Sequence, residues 1–262
     1  MPEGDTVWLA CRRLNAALAG RKIARAELRI PSLATVDLSG SLVLEVVPRG
    51  KHQLFRFEDG RTLHSHLRMD GSWRIFRSGQ SWRGGPTHQV RAILITEDHA
   101  AIGYRLPVLE LLPTAEEDRV VGHLGPDLLG PDWDQAEAVR RITADPRRTI
   151  GEALLDQRNL AGLGTFYRAE ICFLQGVHPR TPAGDVAELD RLVDRAQWLI
   201  MANRDRPEQS STGDLRSGGR SYVYGRAGQP CRRCRTMIRT EEFGPPGQDR
   251  RSYWCPNCQP AP

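Results

Sequence analysis

The sequence predicts an α+β, multidomain protein: a strand-rich first half behind one leading helix, a helical second half, and a metal-clipped hairpin at the end. Three observations carry this. Short apolar runs separated by turn residues fill positions 22 to 113, and the pattern then changes to helical spacing with helix-start signals. Four of the six cysteines close the chain as two tight pairs, Cys231-x-x-Cys234 and Cys255-x-x-Cys258, with twenty residues between them. At 262 residues there is chain enough for two separate cores, although length alone does not exclude one large one.

The leading helix is expected from about Thr6 to Ala19. Val7, Ala10, Cys11, Leu14 and Leu18 recur at helical spacing, Asp5 or Thr6 can cap the start, and Gly20 can end it. Strands are expected over 23–30, 42–47, 53–57, 62–67, 73–76, 90–96 and 101–112, with Asp59-Gly60 and Asp70-Gly71 as hairpin turns. Strands at this density imply a sandwich or a barrel. Beyond Pro113, Thr114-x-x-Glu117 reads as a capping box and 126–131 as a linker into a helix over 134–143. Thr149-x-x-Glu152 starts another helix that stops near 157–159. Leu160-Ala161-Gly162-Leu163-Gly164 is a tight turn feeding a helix over 165–175, and Asp185-x-x-Glu188 caps a last one. Residues 209–221, rich in Ser, Gly and charge, read as a mobile loop.

Composition bounds the partners. The formal net charge is +5 and the isoelectric point about 9.1, which favours an anionic partner. Lysine occurs only at Lys22 and Lys51, so nearly all positive charge is arginine, a usage that a GC-rich genome also produces. Apolar residues make up 39% and charged residues 26%, and no run of about eighteen apolar residues exists, so no conventional membrane span is expected. The first residues lack a basic stretch followed by an apolar one, so a cytoplasmic or nucleoid location is expected, where thiols stay reduced. Cys11 and Cys172 lie in apolar helical contexts and read as small core residues.

In that compartment the four clustered cysteines read best as one structural Zn²⁺ site, because paired spacing brings four thiolates to the corners of a tetrahedron. Two disulfides or four unrelated thiols are the alternatives. The stretch between the pairs reads as two short strands around a Gly/Pro turn with Arg250 and Arg251 beside it, a device suited to phosphate. The glycine-rich turn before Thr165 opens a helix whose N-terminus attracts anions, although many helical turns bind nothing. Pro2 follows the initiator methionine; once that residue is removed, a secondary amine is left that can attack a sugar carbon, with Glu3 beside it as a proton donor. Taken singly, each of these also has an ordinary structural reading. So do Lys51 in Arg49-Gly50-Lys51-His52, which could simply be solvated, and His64 and His66, which alternate on one strand face and could be polar strand residues rather than metal ligands.

In order and together, the motifs resemble the formamidopyrimidine-DNA glycosylase/endonuclease VIII family of base-excision repair enzymes. The marks are Pro2-Glu3-Gly4, Arg49-Gly50-Lys51-His52, 66–71 (His-Leu-Arg-Met-Asp-Gly), 160–170 (Leu-Ala-Gly-Leu-Gly-Thr-Phe-Tyr-Arg-Ala-Glu), 224–231 (Tyr-Gly-Arg-Ala-Gly-Gln-Pro-Cys) and the terminal Cys₄ hairpin. The resemblance covers almost the whole chain. It implies an N-terminal catalytic β-sandwich domain (1–125), a helical DNA-binding domain with a helix–two-turn–helix (126–225) and a C-terminal zinc finger (226–262). It implies Pro2, Glu3, Lys51 and Arg250 as catalytic residues. Met69, Gly164, Thr165, Tyr167 and Arg251 are implied DNA contacts, Arg251 also being the fallback for Arg250, and Cys231, Cys234, Cys255 and Cys258 the zinc ligands. The implied partner is damaged DNA, met by a monomer with no membrane.

Departures from the family pattern shape the expected substrate. Thr6 stands where a second glutamate is usual, and Thr165 where asparagine is usual. Tyr104-Arg105-Leu106-Pro107-Val108 replaces an Arg-Arg-Phe wedge, leaving Met69 as the residue to insert. The Pro-Glu-Gly start and the short segment before Tyr222 lean to the endonuclease VIII branch, hence to oxidised pyrimidines and abasic sites, with single-stranded or mismatched DNA cheap to process. A glycosylase for oxidised purines and a catalytically impaired damage-binding protein are the alternatives. A zinc-ribbon accessory protein would explain the hairpin and not the first half.

Overall fold

The computed structural model describes residues 2–83, 85–244 and 250–262. The chain divides into two compact units, Met1–His123 and Leu124–Pro262.

The first unit opens with helix α1 (Gly4–Leu18). It starts two residues before the expected point, capped by the extended backbone of Glu3 without a side-chain bond. A side-chain cap contributes about 1 kcal/mol, whereas each fully buried Val or Leu contributes about 1.5–3. Val7, Leu14 and Leu18, all buried, therefore decide that the helix forms. Strands β1 (Arg25–Leu28), β2 (Val43–Arg49), β3 (His52–Phe57), β4 (Arg61–His66), β5 (Ser72–Arg77), β6 (Val90–Ile95), β7 (His99–Tyr104) and β8 (Val108–Pro113) follow. They make two antiparallel sheets, ordered β1-β6-β7-β5 and β2-β3-β4-β8. Leu28, Leu94 and Ala101 of the first sheet pack in one core with Phe55, Phe57 and Leu63 of the second and with α1, so the expected sandwich-or-barrel resolves to a sandwich. One polar thread crosses it: Trp73 Nε1 donates to Ser65 Oγ at 3.1 Å, and Ser65 Oγ donates to Gln53 Oε1 at 2.9 Å.

Two expectations change here. The single run over 101–112 is two strands in different sheets, because Arg105 turns the chain at φ +47° and Pro107 cannot donate to a ladder. Thr114-x-x-Glu117 is not a capping box. Thr114 lies in a 3₁₀ turn (Thr114–Glu116), its hydroxyl 2.9 Å from that of Thr62, while Glu117 pairs bidentately with Arg56. Helix α2 (Asp118–Val121) follows that turn.

The second unit holds α3 (Gln135–Thr143), α4 (Ile150–Ala153), α5 (Thr165–Leu174) and α6 (Leu189–Asn203), then β9 (Arg239–Phe243) paired antiparallel with β10 (Arg250–Trp254). Thr149 caps α4 as expected, and Asp134, expected as the first residue of its helix, caps α3 instead, each accepting from an amide three residues on. Helix α4 ends four residues before the expected stop. The Asp185 box fails: that residue closes a 3₁₀ turn, and α6 starts after Glu188 without a side-chain cap. The stretch 209–221 has no regular element but is tied at many points. Ser210 bonds Asn203, Thr212 Oγ1 donates to Gly219 O, and Ser211 Oγ donates to Glu170. Among the described residues no helix is long and apolar enough to cross a membrane.

Candidate DNA-repair site

In the first unit the sequence-predicted residues gather around the start of α1 and the turns of the second sheet. Pro2 is half-buried and Glu3 is 1% exposed, with its carbonyl accepting from Val7 N at 3.0 Å to begin the helix. Asp5, in the first helical turn, is equally buried and accepts weakly from the Thr6 hydroxyl at 3.5 Å. A second carboxylate thus lies one position before Thr6, where sequence reading did not look for one. Met1, whose removal would expose the Pro2 amine, lies outside the described residues.

Lys51 occupies the second central position of a two-residue hairpin turn between Arg49 and His52, which pair across β2 and β3. Gly50 has φ +56° and Lys51 does not, the pattern of a type II′ turn whose first position favours glycine. Met69 is 63% exposed at the tip of the 67–71 loop. Gly71 N closes that loop on Leu67 O at 2.8 Å, and a Cβ on Gly71 would meet the same oxygen at 2.6 Å, so only glycine fits. Arg105 steadies the loop by donating to Asp70 O at 3.2 Å. Leu106, near the missing wedge, belongs to the core, which leaves Met69 as the exposed apolar residue of these two segments.

In the second unit Gly164 is the N-cap of α5, with extended backbone, and Arg168 N makes the first helical bond to Gly164 O at 3.0 Å. Thr165 is 9% exposed at the first helical position. The turn before it is braced by Gln157, whose Oε1 accepts from Gly162 N and whose Nε2 donates to Leu163 O, both at 3.0 Å. Tyr167 departs from expectation. It is fully buried, edge to face with Phe166 at 5.1 Å, so its side chain is a core residue and not a surface for DNA.

The four cysteine sulfurs all lie within 4.8 Å of one another, with separations such as 3.4 Å (Cys234–Cys255) and 3.9 Å (Cys231–Cys258). Burial, then the neighbouring thiols, push the Cys258 thiol well above its ordinary range, whereas bonds from Thr236 bring Cys234 down to about 6. Four thiolates can be crowded this way only around a cation, and an all-sulfur tetrahedral set suits zinc. The residues fit one structural Zn²⁺ held by Cys231, Cys234, Cys255 and Cys258.

Arg250 and Arg251 are the exposed first residues of β10, opposite Phe243 and Glu242. Arg251 reaches Glu242 at 3.4 Å, an exposed pair of little energetic weight. The Gly/Pro turn at 245–249 lies outside the described residues. Two buried charges of α5 that sequence reading had not assigned hold this region. Arg168 Nη2 donates to Arg251 O at 2.8 Å. The Glu170 carboxylate accepts from the amides of Tyr222, Val223 and Tyr224 at 2.7–2.9 Å. Their i, i+2 spacing mid-helix was the available signal, since two charges in an apolar helical run must find partners.

Family models match three segments: the formamidopyrimidine-DNA glycosylase N-terminal domain over residues 1–105, its H2TH domain over 124–202, and a zinc finger found in FPG and IleRS over 228–261. A Streptomyces coelicolor protein named "Probable endonuclease 8 2" is 58% identical over 264 residues, spanning 100% of this chain and 95% of that protein. The chain belongs to the formamidopyrimidine-DNA glycosylase/endonuclease VIII family. Within the family it is 46% identical to a Mycolicibacterium smegmatis protein named DNA-(apurinic or apyrimidinic site) lyase Nei2, with both chains covered in full. The fold matches that of Lactococcus lactis Fpg, solved in complex with abasic-site DNA, at a TM-score of 0.81 over 99% of this chain and 100% of that one, with 23% identity.

Proposed function

We propose that this chain is a bifunctional DNA glycosylase and abasic-site lyase of base-excision repair, acting through the N-terminal amine of Pro2. The observation that carries the reading is the pairing of a half-buried Pro2 with a buried Glu3 carboxyl at the start of α1, in a chain aligned end to end with a relative named as an abasic-site lyase. The secondary amine attacks C1′ of the deoxyribose, and the damaged base leaves with the glycosidic electron pair. Glu3 protonates the ring oxygen as the sugar opens, giving an iminium ion on Pro2. The iminium acidifies the neighbouring C–H. Loss of that proton expels the 3′ phosphate, and a second elimination expels the 5′ phosphate.

Lys51 and Arg250 supply cations for phosphates at the lesion, with Arg251 beside Arg250 on the strand. Gly164 and Thr165 offer a helix N-terminus and a hydroxyl to the backbone. Met69 fills the space left by the flipped nucleotide. The parts divide as a catalytic sandwich (1–125), a helical DNA-binding domain (126–225) and the zinc finger (226–262). The protein works as a monomer in the cytoplasm or nucleoid.

Oxidised pyrimidines and abasic sites are the preferred substrates. With Met69 as the one exposed large hydrophobic side chain of the 66–71 and 104–108 segments, and no Arg-Arg-Phe wedge, the protein gains least from an intact duplex, which favours single-stranded or mismatched DNA.

Borohydride reduction in the presence of an abasic-site oligonucleotide tests the reading. Wild-type protein is expected to be trapped covalently on DNA, and trapping should vanish in Pro2→Gly or when Met1 is retained. Tight binding of such DNA without trapping would instead mark a damage-binding protein that has lost catalysis.

A further inference from the structure

Four imidazoles collect on the face of the second sheet turned away from the sandwich core. His52 lies opposite His66 across β3 and β4, and His64 lies opposite Glu110 across β4 and β8. His52 stacks on His64 at 5.0 Å between centroids, meets His66 edge-on at 4.9 Å and meets His123 edge-on at 6.0 Å. Among the described residues only the four cysteines, and not these imidazoles, bring three or more metal-ligating atoms together.

The hydrogen bonds fix where the protons are. Glu110 Oε1 lies 2.7 Å from His64 Nδ1, and an ionised carboxylate only accepts, so Nδ1 of His64 carries a proton. His64 is 2% exposed, and burial pushes its pKa down although Glu110 pulls the other way; in the neutral ring that burial favours, a proton on Nδ1 leaves Nε2 as the acceptor. His52 Nδ1, 2.8 Å from that Nε2, must then donate. The neutral His52 ring therefore keeps a lone pair on Nε2. His66 adopts the opposite tautomer, because its Nδ1 accepts from Arg68 N at 2.9 Å.

His52 is the residue after Lys51 and closes the hairpin turn that carries it. The Lys51 ammonium is near enough to lower the pKa of His66, which burial, then Arg68 and Lys51, bring down to about 4. Burial, then the charges of His66, His64, His123 and Arg68, bring His52 to about 3. The groups facing the cluster are thus Glu110 on β8, Glu117 beside α2, Lys51 in the turn, Arg68 in the following loop and His123.

We infer that the line Glu110–His64–His52 is a positioning device for Lys51: the carboxylate sets both tautomers, and the ordered His52 ring holds the lysine turn in the geometry that meets a phosphate. This rests on the reading of Lys51 as a phosphate-binding residue. The series runs inward from the half-exposed Glu110 on the edge strand β8, through the buried His64 on β4, to His52 on β3 beside the lysine turn. A packed leucine pair would hold the strands as well, without the polar groups.

The test is a double-mutant cycle read in single-turnover cleavage of an abasic-site duplex. Glu110→Gln keeps the shape, and its site is half exposed, so folding should survive. It is expected to slow cleavage about tenfold or more through misplacement of the turn. In a Lys51→Ala background it should change the rate by less than about twofold. Equal losses in both backgrounds, or no loss in the first, would overturn the inference.

Imidazole ¹⁵N spectra, which need no activity, must show the Nδ1–H tautomer at His52 and His64 in wild type and a mixture at His52 in Glu110→Gln. An Nε2–H form at His52 in wild type would overturn it as well. Lys51→Ala alone separates the two failures: an unchanged single-turnover rate there defeats the reading of Lys51, whereas a loss there with no coupling to Glu110→Gln defeats only the inference.

Discussion

Lys51 and Arg250 both stand on antiparallel hairpins, and the two hairpins are supported in different ways. The Lys51 turn joins an edge strand, β2, to an inner strand, β3, of a four-stranded sheet, and the ladders to β4 and β8 fix the register of β3 from its other side. Among the described residues the Arg250 hairpin has two strands and no third, a ribbon that is marginal in water by itself. It is held from outside instead. Four cysteines clip its base, Arg168 donates to the carbonyl of Arg251, and Arg233 lies over the Phe173 ring at 4.4 Å. A cation on a broad sheet needs no staple; one on a ribbon needs metal and buried charge.

The largest effect should come from removing the staple. Cys255→Ser, or exhaustive chelation, is expected to unfold β9 and β10 and reduce DNA affinity at least a hundredfold, because metal-binding free energy is folding free energy in such hairpins. The first unit should keep its strand signal in circular dichroism. Retention of DNA affinity in the metal-free protein would mean that the ribbon stands without its clip, and the contrast between the two hairpins would fail.

Arg250→Ala comes next and separates the grip from its support. Zinc content should stay at one per chain, while affinity for abasic-site DNA falls about tenfold to a hundredfold, the range of a charge-assisted hydrogen bond. The slope of log affinity against log salt should become shallower by about one. If affinity is unchanged and Arg251→Ala reproduces the loss, the assignment moves one residue along the strand.

Much of this organisation is legible in the sequence, because it is written in local patterns. Short apolar runs between turn residues marked seven strand segments, the paired cysteines marked the zinc site, and Gly50 and Gly162, both at positive φ, marked backbone turns. What was illegible depends on partners far along the chain. Thr114 and Glu117 have the letters of a capping box, yet Thr62 and Arg56, more than fifty residues earlier, compete for them and win. His52, His64 and Glu110 become one hydrogen-bonded line only when the sheet register is known. Tyr167 matched a family motif, but its burial follows from the packing of α5 and not from the motif.

The smallest effect tests whether polar braces carry the second unit as sheet register carries the first. Asp156 lies between α4 and the Gly162 turn, accepting from Arg158 and from Arg148, the latter at 2.6 Å, with its side chain 9% exposed. The bonds from Arg158, then from Arg148, hold its pKa well below the usual carboxylate range, against the opposing effect of burial. A carboxylate depressed in the folded state stabilises the protein above its unfolded pKa of about 3.9, and that contribution is lost as pH falls through the folded value. Asp156→Asn should therefore cost about 1–3 kcal/mol at pH 7 in denaturant unfolding. The difference from wild type should shrink steadily below about pH 4, since wild type loses the brace there and the amide has none to lose. A mutant deficit that stays constant down to pH 2 would assign the loss to packing, leaving the second unit less dependent on charge than the bonds from Arg158 and Arg148 require.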